Sequence, residues 1–160
     1  MMNPIIQKYK SWALSSWRFK WVMLKKLPSL VFWGISVKSL SEDHCEVVLP
    51  FSYTTQNPFR SIYFGALSGA SELATGALLQ MLLSANFPHS MLVTHFEASF
   101  TKKATTPIVF TCNQGPEILE VLNNLQHTGD STSMVLYATG RNTHGEEVMR
   151  ASITWAIRRK

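Results

Sequence analysis

From Tyr63 to Ala85 the chain runs without a proline, and Glu72 is the only charged residue on the way. Leu67, Leu73, Leu78 and Leu82 fall at helical spacing, and Asn86 and Pro88 supply the stop. A helix that is apolar nearly all round must be enclosed by protein or must cross a membrane. Residues 62–87 are long enough to span. However, Glu72 would sit near the bilayer centre at a cost of about 2.5 kcal/mol or more. Gly65, Gly69 and Gly76, with Ser68, Ser71 and Thr75, also dilute the hydrophobicity. The reading is therefore a core helix whose small residues let a surrounding sheet approach its backbone.

The flanking sequence supplies that sheet. Val31–Leu40 is rich in β-formers and follows Pro28, and His44–Leu49 continues after the polar turn Ser41-Glu42-Asp43. After Pro88 the period changes to two. In Met91–Lys103, Leu92, Phe96, Ala98 and Phe100 point one way and His95, Glu97, Ser99, Thr101 and Lys103 the other. Pro107–Gln114 reads as a strand and Pro116–Gln126 as a short helix with Pro116 and Glu117 in its first turn. Ser131–Gly140 and Glu146–Arg158 read as an antiparallel hairpin. The expected fold is α+β, an antiparallel sheet of about six strands curled around one long helix. At 160 residues this is one domain, 1–160, with an N-terminal helical extension over 1–28 and a core over 29–160.

Charge is unevenly distributed. Residues 1–41 hold seven Lys or Arg and no acid, residues 42–157 hold ten acids against five bases, and Arg158-Arg159-Lys160 closes the chain. Basic ends can meet a membrane, a nucleic acid or a phosphorylated ligand, or can be plain solvated helix faces. Ile5, Tyr9, Trp12 and Trp17 recur at near-helical spacing, so one amphipathic helix or two short ones are expected over 4–26. These are expected to pack on the protein, with Trp12, Trp17 and Trp21 mostly buried, and membrane contact is not expected. Lysines and Arg18 interrupt every apolar run before Pro28, so no secretory signal is evident and a cytoplasmic location follows.

Several chemistries lack a signature. There is no GxGxxG, no GxxxxGK[ST] and no GxSxG, and the five histidines show no metal-ligand spacing. No nucleic-acid-binding motif occurs, so no nucleic-acid partner is expected. Cys45 and Cys112 fall inside strands without a neighbouring base and read as inert packing residues. What remains is Glu72. A lone carboxylate in a buried helix is costly unless paired, and burial raises its pKa toward the range of a general base. The same residue held by a Ser, Thr or Arg would be purely structural.

The segment Asn57-Pro-Phe-Arg-Ser-Ile-Tyr-Phe-Gly65, followed by Ala-Leu-Ser-Gly-Ala-Ser-Glu72, resembles the loop-to-helix motif of hotdog-fold acyl-CoA thioesterases, Asn-x5-His-Gly-Gly-x6-Asp/Glu. Asn57, Gly65 and Glu72 fall on its Asn, second Gly and acid, while Tyr63 and Phe64 replace its His and first Gly. The resemblance covers roughly 30–158 and is nearest to the uncharacterised thioesterase-like branch. It implies hydrolysis of an acyl-CoA or acyl carrier protein thioester at a site shared by two subunits, in a homodimer or dimer of dimers. Glu72 would be base or nucleophile, the amides near Gly65 an oxyanion site, and Asn57 an orienting residue. Tyr63 and Phe64 would shape the acyl tunnel, and Arg60, Lys102 and Lys103 would meet the phosphates of coenzyme A, which arrives with the substrate and not as a cofactor. A non-catalytic hotdog module that binds acyl ligands or a protein partner is the other reading.

Overall fold

The computed structural model describes residues 3–160. Three helices come first: α1 (Pro4–Ala13), α2 (Ser16–Lys26) and α3 (Pro28–Phe32). Strands β1 (Ser36–Leu40) and β2 (Cys45–Leu49) lead through a 3-10 turn at Tyr53–Thr55 to the long helix α4 (Phe64–Asn86). Then follow β3 (His89–Phe100), β4 (Ile108–Cys112), the short helix α5 (Gly115–Asn123), β5 (Ser131–Arg141) and β6 (Glu147–Arg159). All six strands join one antiparallel sheet in the order β1-β2-β4-β5-β6-β3. The sheet wraps α4, which is the hotdog architecture.

Helix α4 is buried on nearly every side, from Ala66 and Leu67 to Leu82 and Leu83. Among the described residues it is the one helix long and apolar enough to cross a membrane, and 78% of that apolar window is enclosed by the rest of the chain. Its small residues have the expected use. At Gly76 the Trp155 ring comes so close that a Cβ would lie 3.1 Å from it. The Trp155 indole N–H donates to Thr75 Oγ1 at 3.1 Å, and the Thr75 hydroxyl donates to the Glu72 carbonyl at 3.0 Å. One indole from β6 thus braces the turn of α4 that carries Glu72. In β6, Met149, Ala151, Ile153, Trp155 and Ile157 all face inward, as their alternation requires.

Three expectations are corrected. The strand expected from Val31 begins only at Ser36, because Pro28 opens α3 and Gly34 closes it. Gly34 has φ +68, its N–H reaches the Val31 carbonyl and the Ile35 N–H reaches the Leu30 carbonyl, the Schellman pattern of a helix end. Second, the alternation in β3 is broken. Val93 pairs with Trp155 and His95 with Thr154, so Thr94 is an extra residue. The bulge turns Leu92 to the face opposite Phe96, Ala98 and Phe100, and Leu92 is 66% exposed. Third, Trp12 packs against the core and stacks on Phe19, but Trp17 and Trp21 are 63% and 62% exposed. Phe19, not either Trp, is the residue α2 buries.

Thr75→Val keeps the shape and removes the acceptor of the buried Trp155 N–H. The expected loss is about 1–3 kcal/mol for an unsatisfied buried donor. At about 2–4 °C per kcal/mol for a chain of this length, thermal melting should read a clear drop, and an unchanged melt would show that the indole finds another partner.

Candidate functional site

The approach to α4 is built by its preceding loop. Asn57 Oδ1 accepts from the Phe59 N–H at 3.0 Å, the Ser61 N–H at 3.2 Å and the Ser61 hydroxyl at 3.2 Å, while Asn57 Nδ2 donates to the Ile62 carbonyl at 3.5 Å. The Asn57 side chain therefore holds the turn that delivers Tyr63. Within that turn Arg60 takes φ 58, a left-handed conformation uncommon outside glycine and Asn. The Tyr63 N–H donates to the Thr55 carbonyl at 2.7 Å, and the Ile62 N–H to the Ala104 carbonyl at 2.8 Å. The last bond fastens the segment after β3, with Lys102 and Lys103, beside the start of α4.

A cleft of about 620 Å³ opens at this place. Asn57, Tyr63, Phe64, Leu67, Phe100, Lys102 and Lys103 line it. Five of the eight residues singled out from the sequence thus share one cavity. Arg60 lies on the turn but not among the lining residues, and Lys102 is ion-paired with Glu146. Gly65 stands in the first turn of α4, where its lack of a side chain has a local cause: a Cβ there would collide with the Tyr63 ring. That ring also meets Phe64 edge-on at 4.9 Å. Tyr63 caps α4 through its carbonyl and offers no side-chain acceptor to the first turn, where amides of any helix lack intrahelical partners.

Glu72 lies elsewhere. It stands seven positions after Gly65, a rise of about 10 Å along the helix. Its carboxylate opens into a second cleft of about 340 Å³, bounded by Tyr9 of α1, by Met23, Lys26 and Leu27 at α2, and by Gln80, Met91 and Trp155. Burial raises the Glu72 carboxyl above the usual carboxylate range, and burial is the sole cause. None of the ion pairs among the described residues involves it. The arrangement places a half-buried carboxyl without an ion-pair partner in a mixed cleft, next to the Thr75–Trp155 bond that fixes its turn. The N-terminal contribution to this cleft was invisible to motif reasoning, since Tyr9 and Met23 carry no catalytic signal of their own.

Other candidates are accounted for by packing. Cys45 and Cys112 face each other across β2 and β4 as buried free thiols. Burial pushes Cys45 up to about 12 and Cys112 to about 11, which leaves little thiolate near neutrality. His44 is bonded to the hydroxyls of Ser39 and Ser41, both at 2.9 Å, and His89 to Gln80 and the Phe87 carbonyl, both at 3.0 Å.

Solved structures share this fold. A Chlorobaculum tepidum protein of unknown function superposes with a TM-score of 0.77 at 17% identity, over 91% of this chain and 94% of its own. A Pseudomonas aeruginosa protein of unknown function gives 0.74 at 19% identity, over 87% and 92%. A Haemophilus influenzae thioesterase gives 0.69 at 12% identity, over 91% of each chain. No curated protein matches the sequence. The shared fold is the hotdog, and over residues 15–157 the chain belongs to the family described as a domain of unknown function, DUF4442.

Proposed function

We propose that the protein hydrolyses an acyl thioester, carried by coenzyme A or by an acyl carrier protein, with Glu72 as general base. The observation that carries this reading is the Glu72 carboxyl itself, raised by burial in a cleft and paired with no cation. Glu72 is half-buried, so its carboxyl is partly desolvated yet still within reach of water. In the reaction Glu72 takes a proton from water as the water oxygen attacks the thioester carbonyl carbon. The first-turn amides near Gly65 stabilise the oxyanion, the C–S bond breaks, and the proton passes on to the departing thiolate. The phosphates of coenzyme A, or of the carrier protein's phosphopantetheine arm, are met by Lys103, and by Lys102 where it can leave Glu146.

On one straight helix the Gly65 amide and Glu72 are too far apart to act on one carbonyl. The reading therefore requires two chains, with the Gly65 turn of one protomer set against Glu72 of the other. The unpaired edge of β3 supports such pairing, because Leu92, Phe96 and Phe100 on it remain exposed and edge strands of this kind are normally covered. A cytoplasmic location belongs to the same proposal, since free thiols opposite each other at Cys45 and Cys112 suit a reducing compartment. One observation favours the alternative of a non-catalytic acyl-binding module: the Tyr63 ring crowds the Gly65 turn.

Glu72→Gln keeps the shape and removes the base. Hydrolysis across a chain-length panel of acyl-CoAs should fall by about 10²-fold or more, and wild-type turnover should rise as pH passes the raised Glu72 value. Retained hydrolysis in the variant would remove Glu72 from catalysis. A wild type that binds acyl-CoA but hydrolyses none of the panel would establish the binding module instead.

Stability gives an independent check. The folded Glu72 value lies above the unfolded one, so protonated Glu72 stabilises the fold below the ordinary carboxylate range, and this contribution is lost as pH rises through the raised value. Glu72→Gln should accordingly melt above wild type at neutral pH, with the gap closing toward acid. A variant that melts lower at neutral pH would point to a structural Glu72.

Light scattering of a dilute sample should give twice the 18.1 kDa chain mass, or four times it. A mass of 18.1 kDa alone would exclude a site shared between chains.

A further inference from the structure

Helix α2 buries Phe19 and turns the opposite face to solvent. On that face Trp17, Trp21 and Leu24 stand at i, i+4 and i+7, which makes one apolar stripe along the helix. Lys20 and Lys25 flank it and are exposed. The Arg18 guanidinium lies 5.4 Å from the Trp17 ring centroid, a cation–π contact that holds both groups at the surface. Phe32 on the adjoining α3 is also 64% exposed. Large aromatic and aliphatic side chains presented to water in one row call for a partner.

We propose that this face of α2 docks on an anionic bilayer surface, with the Trp17–Trp21–Leu24 stripe in the interface and the cations among the headgroups. Charge decides the occupant. Arg18, Lys20 and Lys25 border the stripe, and α2 holds no acid. A two-fold contact between the same faces of two copies would set these cations against one another with no carboxylate to relieve them. An anionic membrane complements all of them, and Trp beside Lys on one helix face is the composition that interfacial helices use. A nucleic acid would match the cations but leaves Leu24, at the end of the stripe, without a role. Met23 and Lys26, on the Phe19 side of the same helix, belong to the wall of the Glu72 cleft, so the docking face is the side of α2 turned away from that cleft. The docking reading stands on this geometry whether or not the protein hydrolyses thioesters.

The test uses the full chain and sedimentation with two vesicle populations, phosphatidylcholine alone and phosphatidylcholine with about a third phosphatidylglycerol. Binding to the anionic vesicles is expected to exceed that to the neutral ones by about tenfold or more, and to weaken as salt is raised from about 0.1 M to 0.5 M. Trp17→Ser with Trp21→Ser, and separately Lys20→Glu with Lys25→Glu, should each lose about tenfold in binding to the anionic vesicles while melting at the wild-type temperature. The proposal fails if the wild type stays in the supernatant or binds both vesicles alike. It also fails if either folded variant binds as the wild type does. A change in solution mass in the tryptophan variant would assign the stripe to a contact between copies and would equally overturn it.

Discussion

Everything in this molecule follows from the need to enclose α4. A helix with Leu, Met and Ala on all sides cannot sit at a surface, and one layer of sheet covers only part of its circumference. The six strands take the larger share, α5 closes one flank through Ile118 and Leu122, and α1 covers another through Ile6 and Ala13. Enclosure also sets the composition of the helix. Where Trp155 rides against the backbone, Gly76 leaves room for the ring and Thr75 receives its N–H. Aromatic bulk on the sheet and smallness on the helix are two sides of one packing constraint.

The same rigidity separates the two parts of the candidate site. The first turn of α4 belongs to the cleft of Asn57, Tyr63 and Lys103, and Glu72 belongs to the cleft roofed by α1 and α2. A straight, fully packed helix cannot bend to bring its first and third turns onto one small ligand. Either the two clefts serve different ligands, or a second chain brings complementary halves together.

The element types were legible because the patterns that encode them are local. The long helix is written in its leucine spacing and its lack of proline, and β6 in its strict alternation from Met149 to Ile157. What could not be read depends on pairing or on solvent. The bulge at Thr94 exists only relative to the partner strand β6, and it decides which way Leu92 faces. Gly34 was a legible stop signal, yet Val31 and Phe32 carry strand propensity, and the cap prevailed over propensity because it satisfies two backbone carbonyls at once. Trp17 and Trp21 read as core by residue type, but a two-sided helix has one inward stripe and Phe19 occupies it. For the site, the motif spacing located Glu72 and the loop before α4. It could not reveal that Asn57 spends its side chain holding that loop, since hydrogen-bond partners within a turn depend on the turn's conformation.

The N-terminal helices give Glu72 its chemistry. On an exposed helix turn this carboxyl would ionise as an ordinary glutamate, solvated and weakly basic. Tyr9 and Met23 stand beside it instead, and burial pushes the Tyr9 phenol up as well. The desolvation that raises Glu72 therefore comes in part from a segment outside the motif that carries the carboxylate. Held in place by Asn3, whose Oδ1 caps α1 at Ile5 and whose Nδ2 reaches the Ala85 carbonyl at the far end of α4, this segment lies along α4 from that end to the turn of Glu72. Its inner side sets the dielectric around one carboxyl, and its outer side carries the cations and tryptophans. A perturbation of the outer face can reach Glu72 only by shifting α1 or α2, so the wall of the second cleft is the physical link between that surface and the Glu72 carboxyl.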